Sequence, residues 1–338
     1  VKFVHTVSAG YVTAAIFVLA ISSWYLLKGR DIPFARRSFA IAAVFGLASS
    51  LSVIILGDES GYEMGDVQKV KLAAIEAEWH TEPPPAAFTL VGLPNQATET
   101  TDYAIKIPAV MGLIATRSLD QPVTGLTELK EQHRARMLNG REASSLMEQI
   151  RSGDKSPQTR ARFEEILDDL GYGLLLSVYA EDPMNPTEAE LQAAVDASIP
   201  KVWPLFWSFR IMVAAGFSML VLFAFATWHV ARRTENKPRW LLRFALFSLP
   251  LPWIACEMGW FVAEYGRQPW AIGEILPTDL AVSQLTEGDV LLTLGSIVVL
   301  YSIFVAIEMW LMVRYARKGP SSLQTGRYDL ETGTAQEA

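Results

Sequence analysis

Cysteine is almost missing from this sequence. Cys256 is the single cysteine in 338 residues, which excludes an intrachain disulfide and a cysteine-based metal site. Histidine is scarce too, with four in the chain. There is no excess of positive charge: 29 Lys and Arg stand against 36 Asp and Glu, a formal net charge of −7. Without a basic patch, the chain lacks the electrostatic footprint of a nucleic-acid-binding protein. Charge of either sign is thin at 19%, whereas 51% of residues are hydrophobic. That average conceals two populations, a set of long apolar runs and one polar block. Much of the apolar surface is therefore expected to face lipid.

Five stretches qualify as transmembrane helices: 3–27, 37–56, 203–231, 241–265 and 289–314. Each offers the roughly 20 apolar residues needed to cross a hydrocarbon core of about 30 Å. The predicted fold is an all-α integral membrane protein with a large extracytoplasmic loop between the second and third helices. Residues 1–56 carry helices one and two, 57–202 the loop domain, 203–314 the last three helices, and 315–338 a cytoplasmic tail. The 57–202 block is rich in acidic residues and has prolines at 83–85. It shows amphipathic helical patches near 125–150 and 158–178. At that length it reads as a domain and not a turn.

Orientation follows from three basic connections. Lys28, Arg30, Arg36 and Arg37 lie between the first two helices. Arg232, Arg233, Lys237, Arg239 and Arg243 lie between the third and fourth, and Arg314, Arg317 and Lys318 close the last helix. All fall on one side, which the positive-inside rule assigns to the cytoplasm. The N-terminus and the acidic block are then expected outside.

The fourth apolar run ends strangely. "PLPWIACEMGWFVAEYGRQPW" holds Glu257 and Glu264 within apolar sequence, and with Trp260 they stand at i, i+3 and i+7 on one helix face. An unpartnered carboxylate at membrane depth costs about 2.5–3.5 kcal/mol on insertion scales, so a partner is expected. His5 lies at the outer end of the first helix. Arg210 and Met212 lie roughly 10–14 Å down the third, at about 1.5 Å per residue. Each residue has an ordinary reading: an interfacial His, a core-filling Met, snorkelling Arg267 and Arg210, and interface aromatics at Trp260 and Trp270. Clustered at one depth, they suggest a heme with an axial His and Met and with Arg for its propionates.

"GDESGYEMGDVQKVKLAAIEAEW", 57–79, opens the polar block. Gly57, Gly61 and Gly65 recur every four residues and are expected to break up regular helix, with a helix resuming from 70. A solvated charged loop would account for the segment. A quinol, polar at its head and apolar in its tail, would also suit a site between it and the bilayer, where a carboxylate near water can accept its protons.

"VKFVHTVSAGYVTAAIFVLAISSWYLLKGRD", "GDESGYEMGDVQKVKLAAIEAEW", "FRIMVAAGF", "PLPWIACEMGWFVAEYGRQPWAIGE" and "GPSSLQTGRY" closely resemble subunit I of the cytochrome bd ubiquinol oxidases, essentially end to end. The resemblance implies that His5 and Met212 are the axial pair of a low-spin heme b, with Arg210 beside it. It implies that Glu264 serves the iron of a high-spin heme b and that Trp260 lies between hemes. Arg267, in the GRQPW string, would neutralise a propionate, and Lys71 and Glu76 would serve quinol oxidation. Electrons from ubiquinol or menaquinol would pass through the b hemes to heme d, where O2 becomes water, with water-forming protons drawn from the cytoplasm. The implied setting is a bacterial inner membrane, with subunit II as partner and lipid around the helices.

The sequence departs from the family in opening at Val1, about four helices later than a full subunit I. Those helices carry the histidine of the other high-spin heme, and His80, His133 and His229 do not stand in for it. The chain is therefore expected to be part of a longer or split subunit, with the N-terminal helices as a further partner. The alternative is a truncated subunit that binds one b heme or quinone without oxidase activity. A five-helix sensor would need a cytoplasmic output domain, and a transporter would show matched helix breaks; neither feature is visible.

Overall fold

The computed structural model describes residues 1–154 and 156–320; part of the "GPSSLQTGRY" string and most of the 315–338 tail lie outside them. Helices α1 (Lys2–Lys28) and α2 (Ile32–Val67) form the first pair. Their turn is permitted by Gly29, which closes α1 in the left-handed region at φ 68°, where a side chain would be strained.

Gly57, Gly61 and Gly65 do not interrupt α2, which runs unbroken to Val67. Packing explains this. A Cβ on Gly65 would sit 2.6 Å from the Ala115 carbonyl oxygen, and one on Gly61 would touch Ile114. Gly61 and Gly65 let the polar domain approach α2, Gly57 lets the His5 ring of α1 approach it, and these contacts offset a propensity loss of about 1 kcal/mol each.

The polar block then folds as α3 (Lys69–Glu76), strands β1 (Phe88–Asn95) and β2 (Thr100–Ile107), α4 (Val110–Thr116), α5 (Leu126–Arg151), α6 (Pro157–Ile166), α7 (Leu170–Tyr179) and α8 (Glu188–Ala197). β1 and β2 pair antiparallel, Phe88 opposite Ile107 and Asn95 opposite Thr100. The hairpin qualifies the all-α expectation. Its register shifts between Thr89 and Leu93, so no clean alternation marks it in the sequence.

Helices α9 (Val202–Ala231), α10 (Arg239–Phe247) and α11 (Leu251–Tyr265), a small hairpin of β3 (Trp270–Ile272) and β4 (Leu276–Pro277), and α12 (Glu287–Lys318) complete the chain. Four helical stretches are long and apolar enough to cross a membrane, and the α10–α11 pair makes a fifth if read as one span, bent by 41°. Pro250 and Pro252 sit at that break; proline removes a backbone donor and clashes with the preceding turn.

A membrane core joins α1, α2, α9 and α10 around Ile16, Leu19, Phe39, Leu222 and Phe223. A second core lies at the junction with the polar domain, around Ile75, Met111, Leu126, Leu205 and Phe206. A third, within that domain, holds Met137, Tyr172, Leu175 and Trp270. At the opposite end of the bundle the basic connections meet: Arg30 Nη1 donates to the Arg317 carbonyl at 3.1 Å, and Arg36 pairs with Glu235. α12 has no buried residue within its described length.

Candidate functional site

Helix α3 is largely buried, and its two buried polar side chains, Glu76 and Lys71, are used to dock it. Glu76, 4% exposed, accepts from Arg210 Nη2 of α9 at 2.8 Å. The same guanidinium donates to the carbonyls of Ile75 and Thr89, the latter at 2.5 Å, and lies 3.6 Å from the Phe206 ring centroid. One cation thus ties α3, β1 and α9 together. Burial pushes the Glu76 carboxyl upward in pKa, opposed by the charge and hydrogen bond of Arg210.

Lys71, 7% exposed, turns the other way. Its Nζ donates to the Ala263 carbonyl at 3.0 Å, satisfying an orphan acceptor in the last turn of α11. Gly266, first residue of the GRQPW string, makes room for it: a Cβ there would lie 2.9 Å from Lys71 Cγ. Burial, then the charges of Lys2 and Arg267, lower the Lys71 pKa to about 8 against the opposing charge of Glu264. Charged groups from α1, α3 and the α11 exit therefore share one electrostatic site.

Glu264 has a partner in the chain itself: its carboxylate accepts from Arg267, three residues on, and both side chains are half-exposed. Glu257 is exposed, and Trp260 is 63% exposed. Trp270 is buried, not interfacial: its ring meets Tyr172 edge-on at 5.0 Å. Arg136 lies over Tyr172 at 4.2 Å and bridges Asp169 at 2.6 Å and Glu274 at 2.7 Å. The GRQPW exit is thereby fastened to α5 and α7.

His5 and Met212 each face a glycine. The His5 ring lies against Gly57 of α2, whose Cβ would be 3.4 Å from Cε1, and Met212 Sδ would be 3.0 Å from a Cβ on Gly259 of α11. His5 Nδ1, Arg210 Nε and Trp207 Nε1 are buried without hydrogen-bond partners. Buried polar groups are ordinarily satisfied; an unsatisfied His5 nitrogen and the Met212 thioether are donors of the kind a heme iron takes. Among the described residues no group of three or more His, Cys, Asp or Glu could hold a metal ion.

Sequence reasoning missed Trp207, Gly259 and Gly266, and it missed Glu78. Trp207 could have been found from its place at i−3 to Arg210. The two glycines announce themselves only through the partners that approach them.

A bundle of membrane-spanning helices with a polar domain clamped to one end defines a helical integral membrane protein. The chain belongs to the cytochrome bd terminal oxidase subunit I family, whose model matches residues 1–320. It is 51% identical over 325 residues to the cytochrome bd-II ubiquinol oxidase subunit 1 of Escherichia coli K12, covering 96% of this chain and 63% of that protein. The cytochrome bd ubiquinol oxidase subunit 1 of Bacillus subtilis 168 is 27% identical over 94% of this chain and 56% of its own length. The bd oxidase structure from Geobacillus thermodenitrificans shares the fold, with a TM-score of 0.65 at 22% identity over 94% of this chain and 58% of that one. The chain thus spans less than two thirds of these relatives.

Proposed function

We propose that this chain carries the quinol-oxidising segment and the b-heme ligands of a bacterial quinol:O2 oxidoreductase of cytochrome bd type. It would act in the inner membrane, with subunit II and the further length of subunit I that its relatives possess. The polar domain would face outward and the basic connections the cytoplasm, as the positive-inside rule requires. The observation that carries this reading is the Glu76–Arg210 pair. It clamps the expected quinol segment to α9 two residues from Met212, so a donor bound at α3 is held beside the expected heme ligand.

His5 and Met212 would hold the low-spin heme b, and Glu264 with Arg267 would serve the high-spin heme. Bound in the oxidase, the b hemes supply one-electron transfer and heme d the reduction of O2 to water. The chain's own residues do the rest. Glu76, held by Arg210, and Lys71, turned toward the Ala263 carbonyl, would each serve the quinol from its own side of α3. Arg210 fixes the carboxylate, and Trp207 Nε1 and Arg210 Nε offer free donors to heme propionates or quinol oxygens. Trp260, on the exposed face of α11, is placed for contact with a cofactor or neighbouring helix.

The test is a reduced-minus-oxidised visible spectrum of the assembled oxidase, beside His5→Ala and Met212→Ala. Loss of the low-spin b signal in both variants supports the assignment; its retention in either removes that residue as a ligand.

A further inference from the structure

Glu78 is the buried charge that neither docking nor heme binding uses. It is 4% exposed, yet its carboxylate accepts no hydrogen bond among the described residues. Its backbone is pinned on both sides. The Glu78 amide donates to the Ala73 carbonyl at 2.9 Å, and the Glu78 carbonyl accepts from the Leu126 amide at 2.9 Å. Such a carboxylate, charged and unpaired, would be costly, and the site supplies little to help it.

Four charged groups act on it electrostatically: Glu82, Lys106, Glu76 and Glu128. Glu76 of α3 is buried and held by Arg210. Glu82 accepts from the Ala87 amide at 3.2 Å and pairs with Lys106 of β2, and Glu128 of α5 accepts from the Thr81 amide at 3.1 Å. The Glu82 side chain is 28% exposed and that of Lys106 42%. Glu76, Glu78 and Glu82 thus differ in exposure and pairing: the first is buried and paired with Arg210, the second is buried and has no hydrogen-bond partner among the described residues, and the third is partly exposed and paired with Lys106.

We propose that Glu78 is a proton relay for quinol oxidation, taking protons delivered at Glu76 and passing them to the Glu82–Lys106 pair at the outer surface. The inference rests on the quinol reading of α3. The balance is simple. Each quinol breaks two O–H bonds and forms two carbonyls, its two electrons go singly to ferric heme, and its two protons leave through carboxylates. Charge supports the geometry: burial, and then Glu82, Glu76 and Glu128 acting against Lys106, raise the Glu78 pKa to about 8. That value lets the group both hold and release a proton near neutral pH.

The test uses the complete oxidase with two electron donors, a short-chain ubiquinol and tetramethyl-p-phenylenediamine, which gives electrons without protons. Glu78→Gln is expected to slow ubiquinol turnover by roughly tenfold or more, to abolish the limb of the pH profile near 8, and to keep its rate with the diamine. Glu78→Asp is expected to recover most of the ubiquinol rate. An unchanged ubiquinol rate and pH profile in Glu78→Gln, with Glu76→Gln impaired, would overturn the relay and leave the quinol site standing. Equal loss with both donors would show a structural role and also overturn it. Normal ubiquinol oxidation in both variants would remove the quinol reading of α3 and the relay with it.

Discussion

Arg210 of α9 and Glu76 of α3 form a buried ion pair at 2.8 Å, and through it the polar domain is locked to the membrane bundle. Truncating one member of such a pair strands the other charge in an apolar setting, which typically costs about 3–5 kcal/mol. Arg210→Ala is therefore expected to destabilise the oxidase strongly and to release α3. The double variant with Glu76→Ala should recover part of the loss. Thermal denaturation of the four proteins of the cycle in detergent measures the coupling.

The glycine of GRQPW is required by a neighbour. Gly266→Ala places a methyl 2.9 Å from Lys71 Cγ and 2.6 Å from the Val262 carbonyl, an overpacking of about 1–3 kcal/mol. The variant is expected to displace Lys71 from α11 and raise the KM for ubiquinol. Gly273→Ala, which meets nothing within 4 Å, should behave as the parent in the same steady-state assay.

Stability should depend on pH through two groups with opposite signs. The Glu78 pKa is raised to about 8 from 4.5, so its contribution is complete below 4.5 and is lost as pH rises through about 8. The Lys71 pKa is lowered to about 8 from 10.5, so its contribution is present above 10.5 and is lost as pH falls through about 8. Glu78→Gln should flatten the melting temperature profile between pH 5 and 8, and Lys71→Met should flatten it above 8. Profiles parallel to the parent's would contradict the assignment.

Two tryptophans of the same segment should respond differently. Trp270, 7% exposed and packed on Tyr172, is expected to cost about 3–5 kcal/mol on replacement by Ala. Trp260, 63% exposed, should change the melting temperature of the isolated chain little. In the assembled oxidase its loss should instead appear in the electron-transfer rate, measured by flow kinetics.

At the proposed heme site, Gly259→Ala brings a Cβ to 3.0 Å from Met212 Sδ. The expected result is a lowered heme b potential or partial loss of the low-spin spectrum, read by redox titration. Gly216→Ala, with open space around it, is the matched control.

Much of this protein was legible in the sequence because hydrophobic length and the placement of Lys and Arg are local, additive signals. The five apolar stretches, the two-sided charge and the polar block needed no contacts to be seen. His5, Arg210, Met212, Glu264 and Arg267 stood out because charge or metal donors in apolar surroundings demand partners, whereas Lys71 and Glu76 were singled out by the family resemblance. Which partners they have was decided only by tertiary structure. Arg210 could as well have faced a propionate alone, but the fold gives it Glu76; Glu264 is held by Arg267 three residues away. Gly57, Gly61 and Gly65 read as helix breakers because propensity is all that a sequence shows of a glycine. Folded, α2 continues through them, since close approach of the polar domain and of the His5 ring outweighs that small local cost. Glu78 was hidden for the same reason: nothing in "AIEAEW" distinguishes it from a surface acid until α5 closes over it.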